Sequence, residues 1–235
     1  MIPFGFPAAD EVQVWSCRLD ALPPAVDRNA LSSDEWARAA RWHQAIDRER
    51  FVAGRAWLRH RLARCLDVAA RAIRFEQGAN GKPALAAAAP ALHFNLSHSS
   101  DRALLAICLH RSVGADLEQV RPNPDCEAIA RRHFTAGEFE QWLALEPERR
   151  LRGFYAGWTR KEAFVKALGG GLSIALDSFE IALDPDQPAA LRSIGGSAAA
   201  AARWSMCSPE VAPGFAAAVA AEGAPLRFNR LDDDT

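Results

Sequence analysis

Apolar and polar residues alternate with different periods along this chain, and the periods predict its strands and helices. Residues 11–19 alternate with period two, which predicts a first strand. Ser32 or Ser33 is placed to cap a helix with an acidic first turn, and residues 46–66 have the apolar spacing of a longer helix. Further strands are predicted at 73–76, 92–96 and 103–109, the last two joined by a polar turn at 97–101.

The second half of the chain partly repeats this order. A strand predicted at 113–118 is followed by three helices near 126–133, 135–145 and 149–168. Glycines 169–171 end the last helix, and closing strands are predicted at 179–183, 203–207 and 215–220. Because neither half is all-α or all-β, the sequence predicts a mixed α/β fold with a boundary near residues 110–114.

Composition excludes several classes of protein. Among the 235 residues, 49% are hydrophobic and 24% charged, as in a folded globular chain. The net charge of −1 removes any bulk electrostatic argument for nucleic acid. No segment has the length of a membrane span or the features of a signal peptide, and the five cysteines are scattered. We therefore expect a cytoplasmic protein with free thiols.

Two carboxylates stand on one predicted strand, in the segment V-G-A-D-L-E at 113–118. Side chains alternate across a strand, so Asp116 and Glu118 point the same way and Leu117 points the opposite way. Such a pair repels unless a cation or a basic group lies between its members. An ordinary solvated strand edge remains the alternative for a bare D-x-E.

A second candidate is the predicted helix at 154–168. Phe154, Trp158 and Val165 belong to its apolar stripe, and Glu162 and Lys166 lie together at the edge of that stripe. Taken alone, these two residues would be an i,i+4 ion pair worth a few tenths of a kcal/mol.

The remaining candidates are polar or basic residues near turns. Ser97 and His98 would offer a phosphate a hydroxyl, an imidazole and backbone N–H groups. They are not a hydrolase pair, because nucleophile and base must meet in space and no G-x-S-x-G segment is present. Arg55 lies within a helix and Lys82 follows a tight turn; each could equally be a solvated cation.

The order of these motifs is more informative than any one of them. The chain contains, in sequence, Gly54-Arg55, Gly81-Lys82-Pro83, Ser97-His98, Gly114-x-Asp116-x-Glu118 and Trp158-x-x-Lys161-Glu162-x-x-x-Lys166. Over roughly residues 30–182 it resembles the Sfp-type 4′-phosphopantetheinyl transferases, whose signatures are G-x-D-x-E and W-x-x-K-E-x-x-x-K. The separation is typical of the family, since 162 − 118 = 44 residues.

The resemblance implies a fold of two similar mixed α/β halves related by a pseudo-twofold axis. Residues 1–112 would be a coenzyme A-binding half, and residues 113–235 a magnesium-binding, catalytic half. The implied reaction moves the phosphopantetheine arm of coenzyme A onto a serine of an apo acyl or peptidyl carrier protein and releases adenosine 3′,5′-bisphosphate. We expect the implied enzyme to be a monomer with no nucleic-acid or membrane partner.

The resemblance also assigns residues to roles. Asp116, Glu118 and Glu162 would bind Mg²⁺, which prefers carboxylates, waters and substrate phosphates. Glu162 would also act as base, directly or through a water, and Lys166 would stabilise phosphate charge. The implied coenzyme A contacts are Arg55, Lys82, Ser97, His98 and Lys161, with Arg38 and Arg50 as weaker candidates. Lys161 could instead order its helix.

Two other functions compete with this one. A magnesium-dependent nucleotidyl or phosphotransferase could use the same carboxylates, but the sequence contains no P-loop or kinase signature. A non-catalytic binder of carrier proteins could descend from the same family, but every expected acidic and basic position is filled. The sequence does not distinguish between carriers of fatty-acid, polyketide, nonribosomal-peptide or aminoadipate-type systems.

Overall fold

The computed structural model describes residues 5–78, 81–86 and 92–231. Its first half contains, in order, β1 (Glu11–Arg18), α1 (Ser33–Ala39), α2 (Ala45–Leu66), β2 (Phe75–Gln77), β3 (Pro83–Leu85), β4 (Leu92–Ser99) and β5 (Arg102–Leu109). Its second half contains β6 (Val113–Gln119), α3 (Cys126–His133), α4 (Ala136–Leu143), α5 (Pro147–Leu168), β7 (Phe179–Ile181), β8 (Leu191–Ile194), α6 (Ala198–Ala201), β9 (Trp204–Cys207) and β10 (Phe215–Glu222). A last strand, β11 (Arg227–Leu231), follows.

The two halves have the same sheet topology. In the first, β5 lies between β1 and β4, and in the second, β10 lies between β6 and β9, all paired antiparallel. Each half also has one 22-residue helix, α2 or α5, and a small two-stranded sheet, β2–β3 or β7–β8. The mixed α/β fold and the two similar halves are therefore confirmed.

The last strand departs from the predicted division. β11 pairs in parallel with β1, so residues 227–231 extend the sheet of the first half although they follow the second half in sequence. The predicted division into residues 1–112 and 113–235 places this strand in the second half, and that division stays a prediction.

The core has four layers, in which the two sheets face each other and a long helix covers each outer face. Apolar side chains of β1 and β5 meet those of β6 and β10 between the sheets, for example Val14 and Val219. Trp57 and Leu58 of α2 pack on the outer face of the first sheet, and Phe164 of α5 packs on that of the second. β10 presents mostly alanines, so the layers approach closely.

Local sequence explains where several elements begin and end. Ser32 accepts a hydrogen bond from the Glu35 N–H while the Glu35 carboxylate accepts one from the Ser32 N–H, a capping box that starts α1. Gly169, with φ of 72°, ends α5. The predicted turn at 97–101 is shorter than expected. Residues 97–99 continue β4, and only Ser100 and Asp101 form the turn.

Candidate functional site

The site begins where strand β6 crosses helix α5, at Gly114. A side-chain carbon on Gly114 would overlap the backbone of Ala163, Lys166 and Ala167, so only glycine allows this approach. Two residues later β6 carries Asp116 and then Glu118. The glycine of the G-x-D-x-E motif therefore brings that strand against the helix that carries the second motif.

Lys166 of α5 pairs directly with Asp116 of β6. Its ammonium nitrogen lies 2.5 Å from Asp116 Oδ1, and the hydroxyl of Ser97 in β4 lies 3.2 Å from the same oxygen. The Lys166 ammonium is also 3.3 Å from Ser97 Oγ. Three elements, one of them from the first half, thus converge on one carboxylate. The structure thus brings Asp116, Ser97 and Lys166 together, and the roles assigned to them stay predictions.

Glu118 and Glu162 complete the acidic cluster. Burial raises the pKa of Glu162, and the negative charges of Asp116 and Glu118 raise it further, against the opposing effect of Lys166. Burial, followed by the charge of Asp116, likewise raises the pKa of Glu118, although Ser99 donates a hydrogen bond to Glu118 at 3.0 Å. The three carboxylates therefore interact electrostatically across the strand and the helix. Such a cluster costs stability and is typical of a binding site.

Polar side chains of β4 join the two halves beside this cluster. Asn95 Oδ1 accepts a hydrogen bond from the Ala115 N–H at 2.8 Å, and Ser99 Oγ accepts one from the Gln119 N–H at 3.1 Å. Sequence reasoning missed both residues. The signal was present, because Asn95, Ser97 and Ser99 alternate and so share one face of β4.

Asp116, Glu118 and Glu162 are the candidate ligands for magnesium. Among the described residues, no three His, Cys, Asp or Glu side chains form a ready metal-binding group. The chemistry nevertheless fits, because the cluster offers hard carboxylate oxygens. Asp116 Oδ2 is also buried and has no hydrogen-bond partner, which leaves an acceptor that a cation would satisfy.

A basic cavity lies on the other side of β4. It has a volume of about 140 Å³, and its lining includes Arg38, Arg50, Arg55 and His98. Ser97 and His98 are adjacent in a strand, so one serves the acidic cluster and the other this cavity. His98 keeps an exposed surface, yet partial desolvation lowers its pKa, and the charges of Lys166 and Arg50 lower it further.

Arg55 is held by a residue that the sequence did not single out. The buried Glu35 of α1 accepts from Arg55 Nε at 2.6 Å and from Arg59 Nε at 2.7 Å. The Arg55 guanidinium also lies 4.3 Å from the centre of the Phe75 ring. One carboxylate shared by two guanidiniums leaves one net positive charge beside the cavity. The capping box signalled where α1 begins, but nothing in it showed this second function of Glu35.

Lys82 does not point into either part of the site. Its ammonium donates to the carbonyl oxygens of Lys166 at 2.7 Å and Val113 at 2.8 Å, with Ala167 O at 3.4 Å. Burial lowers the pKa of Lys82 to about 8. All three ammonium hydrogens are directed at backbone, so the structure does not support the predicted phosphate contact.

Lys161 likewise lies away from the acidic cluster and the basic cavity. Its side chain is fully buried and pairs with the buried Glu138 at 2.7 Å, and it donates to the carbonyls of Leu176 and Phe179. It therefore ties α5 to α4 and to the segment before β7, and it is not available to coenzyme A. Of its two predicted roles, the structure supports the one of ordering its helix.

A wider cavity of about 660 Å³ lies along Arg152, Ala156 and residues 208–217 and contains none of the predicted site residues. No helix within the described ranges is long and apolar enough to cross a membrane. The five cysteines are free thiols, as predicted.

Residues 112–220 match the family described as the 4′-phosphopantetheinyl transferase superfamily, and residues 15–110 match the one described as 4′-phosphopantetheinyl transferase, N-terminal. The 4′-phosphopantetheinyl transferase HetI of Nostoc sp. is 39% identical over 92% of this chain and 89% of its own length. The 4′-phosphopantetheinyl transferase psf-1 of Bacillus pumilus is 36% identical over 73% of this chain and 76% of its own length.

Solved structures are more distant. The holo-[acyl-carrier-protein] synthase of Thermotoga maritima is 22% identical, with a TM-score of 0.35, over 49% of this chain and 64% of its own. That similarity is too low to support an argument about the site.

Proposed function

Because this chain belongs to the 4′-phosphopantetheinyl transferase superfamily, we propose that its acidic cluster and basic cavity form the active site for phosphopantetheine transfer. The donor is coenzyme A, the acceptor is a serine of an apo acyl or peptidyl carrier protein, and the co-product is adenosine 3′,5′-bisphosphate. The observation that carries the proposal is the convergence of Asp116, Glu118, Glu162 and Lys166 where β6 crosses α5.

The two sides of β4 suit two parts of coenzyme A. The cavity lined by Arg38, Arg50, Arg55 and His98 suits the 3′-phosphate, because guanidiniums offer forked donors to phosphate oxygens. The acidic cluster, with Lys166 and Ser97, suits the pyrophosphate. Asp116, Glu118 and Glu162 would hold Mg²⁺, which when bound offsets the negative charge of the pyrophosphate oxygens. Magnesium dependence is part of the proposal and rests on donor chemistry and the open Asp116 oxygen.

The reaction then needs a proton acceptor and a stabilised leaving group. The carrier serine oxygen attacks the phosphorus that bears the pantetheine arm, and the bond to adenosine 3′,5′-bisphosphate breaks. The serine proton passes to Glu162, directly or through a water. Because bound Mg²⁺ would make the Glu162 carboxylate less basic, the route through a water is physically easier. Lys166 would stabilise the charge that develops on the phosphate oxygens.

Mass spectrometry tests the proposal. The protein is incubated with coenzyme A, Mg²⁺ and a panel of apo acyl and peptidyl carrier proteins. We expect the carrier to gain one phosphopantetheine, and chelation to abolish the gain. Glu162→Gln should slow the transfer by about 10²–10⁴-fold, the range for loss of a general base. Glu148→Gln, in the exposed first turn of the same helix, is the matched control and should be neutral. No gain on any carrier would refute the proposal.

The basic cavity has its own test. Arg50→Ala should weaken binding of coenzyme A by roughly 10-fold or more, the effect of losing a hydrogen bond to a charged group. Binding of dephospho-coenzyme A should change little. Equal losses for both ligands would place the 3′-phosphate elsewhere. A cytoplasmic location, a monomeric state and the absence of nucleic-acid or membrane partners stay predictions.

A further inference from the structure

Lys82 contacts the backbone of both elements that carry the acidic cluster. It precedes β3 in the first half, and its ammonium crosses to the second half, where it donates to Val113 O at the start of β6 and to Lys166 O in the last turn of α5. The Ala167 carbonyl oxygen lies 3.4 Å away. One side chain of the first half therefore holds a strand and a helix of the second.

The carbonyls that Lys82 binds need donors. The last four carbonyls of a helix have no partner within the helix. In α5 the Gly169 N–H donates to Val165 O, so Lys166 O and Ala167 O remain at the end of the helix. A cation near a helix C-terminus is also favoured by the helix dipole. Lys82 meets both requirements from a distant part of the chain.

The contact lies at the crossing where the site is assembled. Val113 directly precedes Gly114, the residue that allows β6 to touch α5. Asp116 is three residues from the bound carbonyl of Val113, and Lys166 supplies the other carbonyl itself. A shift of either backbone would therefore move the Lys166 ammonium relative to Asp116.

The presence of lysine at position 82 supports a role that needs a compact ammonium group as hydrogen-bond donor. The chain has 25 arginines and only three lysines, Lys82, Lys161 and Lys166. Lys82 and Lys161 each direct an ammonium at three acceptors that surround it. A planar guanidinium has a fork of donors and does not reproduce this geometry.

We propose that Lys82 is a positioning residue that clamps β6 to the C-terminal turn of α5 and so sets Lys166 against the substrate phosphate. This role replaces a direct contact between Lys82 and coenzyme A, and it rests on the proposed function. The burial that lowers the pKa of Lys82 to about 8 agrees with a desolvated ammonium held by carbonyls.

Kinetics with two donor substrates, coenzyme A and dephospho-coenzyme A, test whether Lys82 clamps β6 to α5. Lys82→Met should lower kcat by about 10- to 100-fold, the scale of a misplaced catalytic group, with little change in KM for coenzyme A. The loss should be equal with coenzyme A and dephospho-coenzyme A. Lys82→Arg keeps the charge but changes the donor geometry, and it should be impaired as well. Arg74→Met, an exposed cation beside the same small sheet, is the control and should behave as wild type.

A double-mutant cycle shows whether Lys82 acts through Lys166. If it does, Lys82→Met combined with Lys166→Met should be no slower than Lys166→Met alone. Hydrogen exchange adds a readout that does not depend on activity: the amides of the last turn of α5 should exchange faster in Lys82→Met. That measurement also serves if Lys82→Met is too unstable for kinetics, since Lys82→Arg can be compared in the same way.

Several outcomes would overturn the inference. A larger loss with coenzyme A than with dephospho-coenzyme A, or full activity of Lys82→Arg, would indicate a direct phosphate contact. Losses that multiply in the cycle would show that Lys82 acts independently of Lys166. Wild-type kinetics in Lys82→Met would leave Lys82 no positioning role. A wild-type enzyme without transferase activity would instead refute the proposed function.

Discussion

Gly114 of β6 lies directly against the main chain of Ala163 in α5, so closely that an added methyl group would overlap the Ala163 carbonyl oxygen. The obstacle is backbone rather than a flexible side chain. The first motif thus contributes a contact as well as two carboxylates, and the distance between strand and helix depends on it.

Gly114→Ala should therefore destabilise the protein by about 3 kcal/mol, at the upper end for overpacking, because helix backbone cannot move aside cheaply. Chemical denaturation measures the change. Gly137→Ala in α4 is the matched control, since no heavy atom lies within 4 Å of its added carbon. That variant should be neutral or stabilising by up to about 1 kcal/mol. Equal effects at the two positions would show that the crossing is not tightly packed.

Glu118→Gln and Glu162→Gln should each stabilise the unliganded protein at pH 7. Both carboxyls have a raised pKa in the folded state, so their stabilising contribution is complete below the unfolded pKa and is lost as pH rises through the folded pKa. Removing either charge should raise Tm at pH 7 by about 2–4 °C, the shift for ~1 kcal/mol in a chain of this size.

The same comparison repeated near pH 4 provides the internal control for the two glutamine variants. There the wild-type carboxyls are largely protonated, so the difference in Tm should disappear. A difference that is unchanged between pH 7 and pH 4 would mean that charge repulsion is not its cause.

Divalent cations should stabilise the wild-type protein without any other ligand. At a Mg²⁺ concentration of 100 times Kd, the gain would be about 2.7 kcal/mol by mass action. Asp116→Asn should lose most of this gain, because it removes the charge beside the open oxygen. Thermal melts with Mg²⁺, and with Na⁺ at equal ionic strength, separate binding from screening. A full Mg²⁺ shift in Asp116→Asn would contradict the assignment.

Lys161→Met should destabilise the fold by about 3–5 kcal/mol, since it leaves Glu138 buried without its partner. The transfer rate per folded molecule should stay near wild type. Arg131→Met, which breaks the exposed pair with Glu127, is the control and should cost less than ~1 kcal/mol. A selective loss of coenzyme A affinity in Lys161→Met would restore the contact that the structure argues against.

Local periodicity and the order of the motifs predicted most residues of the acidic cluster. Asp116 and Glu118 share a face because strands have period two, and Glu162 and Lys166 share one because they are four apart on a helix. Their meeting in space was an implication of the family resemblance, and the structure agrees with it. The roles of Lys82 and Lys161 were assigned by that same resemblance, and the structure gives both ammonium groups backbone partners.

The sequence by itself determined the mixed α/β halves, most element positions and the residues of the acidic cluster, because these depend on short-range periodicity and on motifs a few residues long. Only the tertiary structure decided the parallel pairing of β11 with β1, the hold of Glu35 on Arg55 and Arg59, and the inward turn of Lys82. Each of these joins residues far apart in the chain. Whether a buried charge meets a carboxylate, a carbonyl or the cleft depends on how the layers pack, and no local pattern contains that information.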